Sequence, residues 1–112
     1  MTLRETQSAF AEAAARLILF AVDNGYAVTL AEAYRSPEPA ALYAREGRGI
    51  ANSNHTRRLA IDLNLFKRGR LLTSTDAYKE LGEWFEGQHE LARWGGRFND
   101  GGHFSFEHEG VK

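Results

Sequence analysis

Three residues of this 112-residue chain have the types and the placement to hold a metal ion. Asp62 and His103 each fall on the polar face of a predicted strand, and His55 stands just before the first of those strands. Two neutral imidazoles and a carboxylate fill three positions around zinc and leave the fourth to water. Zinc lowers the pKa of such a water to about 7 and polarises a carbonyl, which is the chemistry of amide hydrolysis. A hydrolase of this kind also needs a general base that is not a ligand. Asp100, in Phe98-Asn99-Asp100-Gly101-Gly102 just ahead of His103, suits that role, and the two glycines let the backbone turn sharply between base and ligand. His55 and Asp62 are seven residues apart, so on one straight strand they would point to opposite faces. Thr56-Arg57-Arg58 must therefore bend if both are to reach a common point.

Each of these residues also has a plainer reading. His55 beside two arginines is an ordinary surface histidine on composition alone, and Asp100 before Gly-Gly is common turn chemistry. Glu107 shares the predicted strand face of His103 and is the reserve candidate for the base. His89 and His108 read as surface residues, and Lys67, Arg68 and Arg70 as a solvated hairpin.

The elements that must position this set are legible from periodicity. Thr2-Leu3-Arg4-Glu5 matches a capping box, and Leu3, Phe10, Ala14, Leu17 and Ala21 recur at helical spacing up to Asn24-Gly25. Tyr26 to Leu30 alternates like a strand and can continue towards Arg35. Ser36-Pro37 opens a second helix through Arg45, which Gly47-Arg48-Gly49 breaks. Leu59, Ile61, Leu63 and Leu65 form the apolar face of the clearest strand, with Ala60, Asp62 and Asn64 on the other face. Lys67-Arg68-Gly69-Arg70 turns a hairpin into Leu71-Leu72-Thr73. A further helix is expected from about Ser74–Asp76, burying Tyr78, Leu81 and Phe85, and a last strand runs from His103 to Glu107. This order predicts an α+β fold: a small, mainly antiparallel sheet with helices on one face and the zinc site on the open face.

Length and composition narrow the function. A chain of 112 residues suits one compact domain, taken here as 1–112. The absence of cysteine excludes disulfide scaffolds, thiolate zinc sites and cysteine nucleophiles. Fourteen Lys+Arg against fifteen Asp+Glu give a net charge of −1, which argues against a nucleic-acid binder. The apolar stretch Leu17–Val22 is far too short to span a membrane, so no membrane insertion is expected. Met1–Phe10 lacks the apolar run of a secretory signal, which predicts synthesis in the cytoplasm.

Ser53-Asn54-His55 through Ala60-Ile61-Asp62 resembles the S-x-H-x(6)-D signature of the D-Ala-D-Ala carboxypeptidase family of zinc peptidases. Trp94-Gly95-Gly96 through Asp100-Gly101-Gly102-His103-Phe104 is similar to that family's W-G-G…D-x-x-H-F element. Ala33-Tyr34-Arg35-Ser36-Pro37 is similar to its (G/A)-Y-R-(S/T) element, followed by an L-Y pair, here Leu42-Tyr43. The three elements occur in the family's order over about residues 26–106. The family includes VanY-like carboxypeptidases and phage endolysins that cut L-Ala-D-Glu bonds. The resemblance implies one Zn2+ held by His55, Asp62 and His103, with Asp100 as catalytic base. It implies that Arg35 contacts a substrate carboxylate or the developing oxyanion, and that Ser53 supports the first ligand. Trp94 is assigned to the substrate cleft, with burial between its glycines as the alternative. Arg58 stands where many members carry glycine.

The expected function is therefore a zinc-dependent peptidase of bacterial cell-wall peptide stems. L-Ala-D-Glu endopeptidase activity, as in a phage endolysin that reaches the wall after the membrane is breached, is favoured over D-Ala-D-Ala carboxypeptidase activity. The protein is expected to act as a monomer. The rival from another class is a non-enzymatic zinc-stabilised phage structural or binding domain, as the family's likeness to the hedgehog signalling domain allows.

Overall fold

A computed structural model describes residues 1–34 and 54–112. The predicted Ser36–Arg45 helix, the Gly47–Gly49 break, Leu42-Tyr43, Arg35 and Ser53 lie outside the described residues.

Helix α1 (Leu3–Asp23) starts at the predicted capping box, in which the Glu5 N–H donates to Thr2 Oγ1 (3.2 Å) and the Thr2 N–H to Glu5 Oε1 (2.9 Å). Its buried stripe contains Phe10, Ala14, Leu17 and Ala21, whereas Leu3, in the first turn, stays exposed. Asn24 caps the C-terminus and Gly25 takes the left-handed conformation, φ +90°.

The chain then forms strands β1 (Ala27–Glu32), β2 (Ala60–Lys67) and β3 (Arg70–Leu71), helix α2 (Lys79–Glu86), and strands β4 (Ala92–Trp94) and β5 (His103–Phe106). The sheet order is β1-β2-β5-β4, with β3 pairing the far end of β2, and every pairing is antiparallel. Arg68 and Gly69 both have positive φ, 54° and 76°, so the β2–β3 connection is a two-residue turn of the primed type that suits twisted hairpins.

Both α-helices among the described residues lie on one face. Leu17 and Ala21 of α1 and Leu81 and Phe85 of α2 form one apolar cluster with Leu63, Leu65, Phe104 and Phe106 of the central strands. The Phe85 and Phe104 rings meet edge to face at 5.6 Å. The fold is the α+β arrangement that the periodicity predicts, and the alternation along β2 leaves Asp62 and Asn64 facing away from this core.

Two elements differ from expectation. The helix predicted from Ser74 is divided: a 3₁₀ turn over Thr75–Tyr78, capped by Ser74 Oγ on the Ala77 N–H, precedes α2. The turn places the Tyr78 hydroxyl to accept from the Leu65 N–H (3.2 Å) and donate to the Leu72 carbonyl (3.0 Å), closing the hairpin end of the sheet. Strand β1 lies at the sheet edge, so Leu30 is 64% exposed instead of packed with Tyr26 and Val28. A bulge between Leu30 and Glu32 then shifts the register and sets Glu32 opposite Asp62.

Candidate functional site

Asp62 and His103 are direct cross-strand neighbours of β2 and β5, on the face away from the helices. His103 Nδ1 lies 3.1 Å from Asp62 Oδ1. The second carboxylate oxygen is taken by His55: its Nε2 is 3.3 Å from Asp62 Oδ2. His55 arrives from a 3₁₀ turn, Asn54–Arg57, after which Arg58 adopts φ +58°. This is the bend that a seven-residue separation demanded. A left-handed arginine is strained where glycine would not be, and its guanidinium is stacked on the Tyr34 ring at 4.2 Å.

The turn is fastened from several sides. Asn54 is 1% exposed and its Nδ2 donates to the Phe106 and Val111 carbonyls (3.0 and 2.6 Å). Gln7 of α1 donates to the Arg57 carbonyl (2.7 Å). His55 Nδ1 faces the Ala33 carbonyl at 3.2 Å, with Glu32 Oε1 at 3.7 Å. Both ring nitrogens face acceptors, which suits the imidazolium in the metal-free site; with Nε2 on a metal, the Ala33 carbonyl would hold the remaining proton on Nδ1.

These contacts shape the electrostatics. Burial alone would raise the Asp62 pKa, but hydrogen bonds from His103 and His55 and their charge hold it far below the ordinary carboxylate range. Burial alone would lower His55, but Asp62, the Ala33 carbonyl and Glu32 raise it. One ligand atom from each of His55, Asp62 and His103 lies within 4.8 Å of the others. The other ring nitrogen of His103, Nε2, is buried without a hydrogen-bond partner among the described residues. Two buried imidazoles and one partly exposed carboxylate, converging on one point, fit a zinc ion in their number and chemistry.

Asp100 lines a cleft of about 450 Å³ together with Asp62, Asn64, Leu72, Thr73, Thr75 and Asn99. A 3₁₀ turn over Gly95–Phe98 and a left-handed Asn99 (φ +64°) carry the chain there. The Asp100 N–H donates to the Gly95 carbonyl (2.8 Å), and the Asp100 carbonyl accepts from the His103 N–H (3.1 Å). The side chain keeps contact with solvent at the cleft mouth. Desolvation nonetheless raises its pKa, and the Asp62 charge adds to this while His103 and His55 oppose it. A cleft carboxylate shifted upward in this way is suited to moving a proton.

The other predicted site residues separate. Trp94 is buried between Gly82 and Gly96, and its indole N–H donates to the Gly101 carbonyl (2.8 Å), so the ring is enclosed and does not line the cleft. Glu107 lies at the far end of β5, 3.5 Å from Arg93 and 3.9 Å from Lys112, and is no substitute for Asp100. His89 stacks on Phe106 at 4.5 Å, and His108 pairs with Glu109. Asn54, Glu32 and the Ala33 carbonyl were not singled out from sequence. Asn54 directly precedes His55, but nothing in residue type announces its reach of some fifty positions to the C-terminal strand. Phe98, half exposed with its ring 5.8 Å from that of His103, is a further neighbour of the site.

The fold and the converging histidines and aspartate define a small α+β domain with a metal-competent centre on its open face. A family model described as D-alanyl-D-alanine carboxypeptidase matches residues 46–106, a span that includes His55, Asp62, Asp100 and His103. The chain belongs to that family. No curated protein matches it. Among solved structures, the fold is similar to that of the L-Ala D-Glu endopeptidase ChiX of Serratia marcescens. The TM-score is 0.68 and the identity 22%, over 83% of this chain and 77% of that one.

Proposed function

We propose that the chain is a zinc peptidase that hydrolyses an amide bond in the peptide stems of bacterial peptidoglycan, with the L-Ala-D-Glu bond as target. The observation that carries this reading is a cleft lined by both Asp62, the carboxylate of the His55–Asp62–His103 cluster, and an Asp100 carboxylate of raised pKa. His55, Asp62 and His103 would hold one zinc ion. Zinc, when bound, supplies Lewis acidity that polarises the scissile carbonyl and acidifies a coordinated water.

The remaining work belongs to the chain's own residues. With Nε2 of His55 on the metal, the Ala33 carbonyl holds the remaining ring proton on Nδ1. Asp100 accepts the proton of the attacking water as its oxygen bonds the carbonyl carbon, then delivers that proton to the amine nitrogen as the C–N bond breaks. Arg35 is assigned to the substrate carboxylate or oxyanion, and Ser53 to support of His55. Both assignments rest on the sequence resemblance.

The likeness in fold to an L-Ala D-Glu endopeptidase supports endopeptidase action. The cleft continues from Asp62 past Asn64 to Thr73–Thr75, which leaves room for stem residues beside the reacting bond. The family description favours D-Ala-D-Ala carboxypeptidase action as the second reading. Among the described residues no helix is long and apolar enough to cross a membrane. The proposal is of one domain acting as a monomer at the wall, in the manner of an endolysin.

Mass spectrometry of muropeptides incubated with zinc-loaded protein, with Asp100→Ala and a chelated sample as controls, tests the reading. New L-Ala and D-Glu termini absent from both controls are expected. Loss of a terminal D-Ala alone would move the assignment to carboxypeptidase. An intact stem, with zinc bound, would leave a non-enzymatic zinc domain.

A further inference from the structure

The Asp100 loop is tied by backbone hydrogen bonds: the Asp100 N–H donates to the Gly95 carbonyl (2.8 Å), the His103 N–H to the Asp100 carbonyl (3.1 Å) and the Leu63 N–H to the Gly102 carbonyl (2.9 Å). Among the described residues, no side chain hydrogen-bonds the Asp100 carboxylate, and the backbone of residues 100–102 receives one side-chain hydrogen bond, from the Trp94 indole to the Gly101 carbonyl (2.8 Å). Everything around that indole is cut to fit it. A Cβ on Gly82 or Gly96 would overlap the ring from either side. A Cβ on Gly95 would overlap the Asp100 carbonyl and come 2.7 Å from His103 Cβ. On the outer side of the loop, a Cβ on Gly101 would approach Thr75 Cα to 2.9 Å, and one on Gly102 would approach the Leu63 carbonyl to 2.8 Å. The loop therefore lies in a slot, with the indole N–H as the pin at its base.

We propose that Trp94 is the positioning residue of Asp100: it acts from the core, through the Gly101 carbonyl, to hold the carboxylate at proton-transfer distance in the cleft. This rests on Asp100 being the general base. It removes Trp94 from the substrate contacts and gives the burial of a polar indole N–H a purpose beyond satisfying one carbonyl. The Asp100 loop touches the cluster through the His103 N–H, but His55, Asp62 and His103 are also held by the β2–β5 pairing and the Asn54 turn, so the indole should affect the base far more than the ligands. A shift of the carboxylate by a fraction of an ångström to an ångström is enough to cost a large part of the rate.

The test uses Trp94→Phe, which keeps an aromatic ring near the glycines while removing the N–H donor and part of the indole's volume, alone and combined with Asp100→Ala. In the Asp100 background kcat on a stem peptide should fall about 10- to 100-fold, with KM and zinc affinity (measured by competition with a chelating dye) within twofold. In the Asp100→Ala background the same substitution should change nothing further. A merely structural role would reduce the rate in both backgrounds, and a substrate contact would raise KM at constant kcat; either overturns the proposal. Should Trp94→Phe not fold, hydrogen exchange in the unmodified protein decides. The indole N–H should be protected together with the His103 amide, and exchange at the rate of a free indole overturns the pin. Full activity in Asp100→Ala would instead discard the base assignment, leaving the exchange result to judge the pin.

Discussion

The two walls of the cleft are built in different ways. Asp62 and His103 sit on paired strands whose hydrogen-bond ladder fixes their separation, and His55 is tied to Ala33 and, through Asn54, to the end of β5. Asp100 sits on a turn outside the strand ladder, placed by backbone hydrogen bonds to Gly95, His103 and Leu63, by close packing at its glycines and by one side-chain donor, the Trp94 indole N–H. Paired strands thus hold the groups proposed to converge on a metal, and a short, tightly packed loop holds the group proposed to handle a proton. Substitutions in the two walls should therefore separate metal binding from catalysis.

The largest effect is expected at the first wall. Asp62→Asn leaves the strand intact but removes the charge that both imidazoles address, so stoichiometric zinc and all cleavage should be lost in elemental analysis and peptide assays. Asp100→Ala should retain one zinc per chain while kcat falls by about 10² to 10⁴. Equal damage to zinc binding by the two substitutions would erase the contrast.

Glu32→Gln tests how far the first wall extends, because Glu32 lies 3.7 Å from His55 Nδ1. Outer partners of this kind typically alter metal affinity by about 10- to 100-fold, and the lower end is expected because the Ala33 carbonyl remains. Gly95→Ala probes the second wall from inside. Its Cβ must displace the Asp100 carbonyl, so a loss of about 1–3 kcal/mol in thermal or denaturant unfolding is expected, together with a lower kcat.

The smallest effect concerns pH in the metal-free protein. Asp62 has a lowered folded pKa, so its contribution is present above its ordinary value of 3.8 and disappears as pH falls through the folded value. His55 has a raised folded pKa, so its contribution is complete below 6.5 and is lost as pH rises through the folded value. Metal-free protein should therefore be more stable at pH 5.5 than at pH 8. Zinc requires neutral imidazoles, so its stabilisation should grow over the same interval. Parallel melting curves with and without zinc check this.

Much of the first wall was legible in the sequence and less of the second. The alternation of Leu59 to Leu65 and of His103 to Phe106 implied that Asp62 and His103 share the open face, because a strand has a period of two. The bend after His55 followed from an odd separation. The depth of Asn54 and the bulge that brings Glu32 to His55 depend on which strands become neighbours, and local periodicity does not carry that information. Trp94 shows the same limit. Flanking glycines were compatible with a cleft or a core, and only the arrival of Gly82 from α2 closes the space around the ring. At Arg58 sequence and structure agree in another way: a non-glycine residue holds the left-handed turn where glycine is common in the family, and stacking on Tyr34 compensates the strain.

The central claim is that His55, Asp62 and His103 hold one zinc ion beside the cleft that Asp100 lines. X-ray absorption spectroscopy at the zinc edge, on protein loaded with one equivalent, tests it most directly. The account predicts a site of nitrogen and oxygen donors with the scattering of two imidazoles, retained in Asp100→Ala and lost in His103→Ala. A spectrum of hydrated, exchangeable zinc, or one unchanged by His103→Ala, would contradict it.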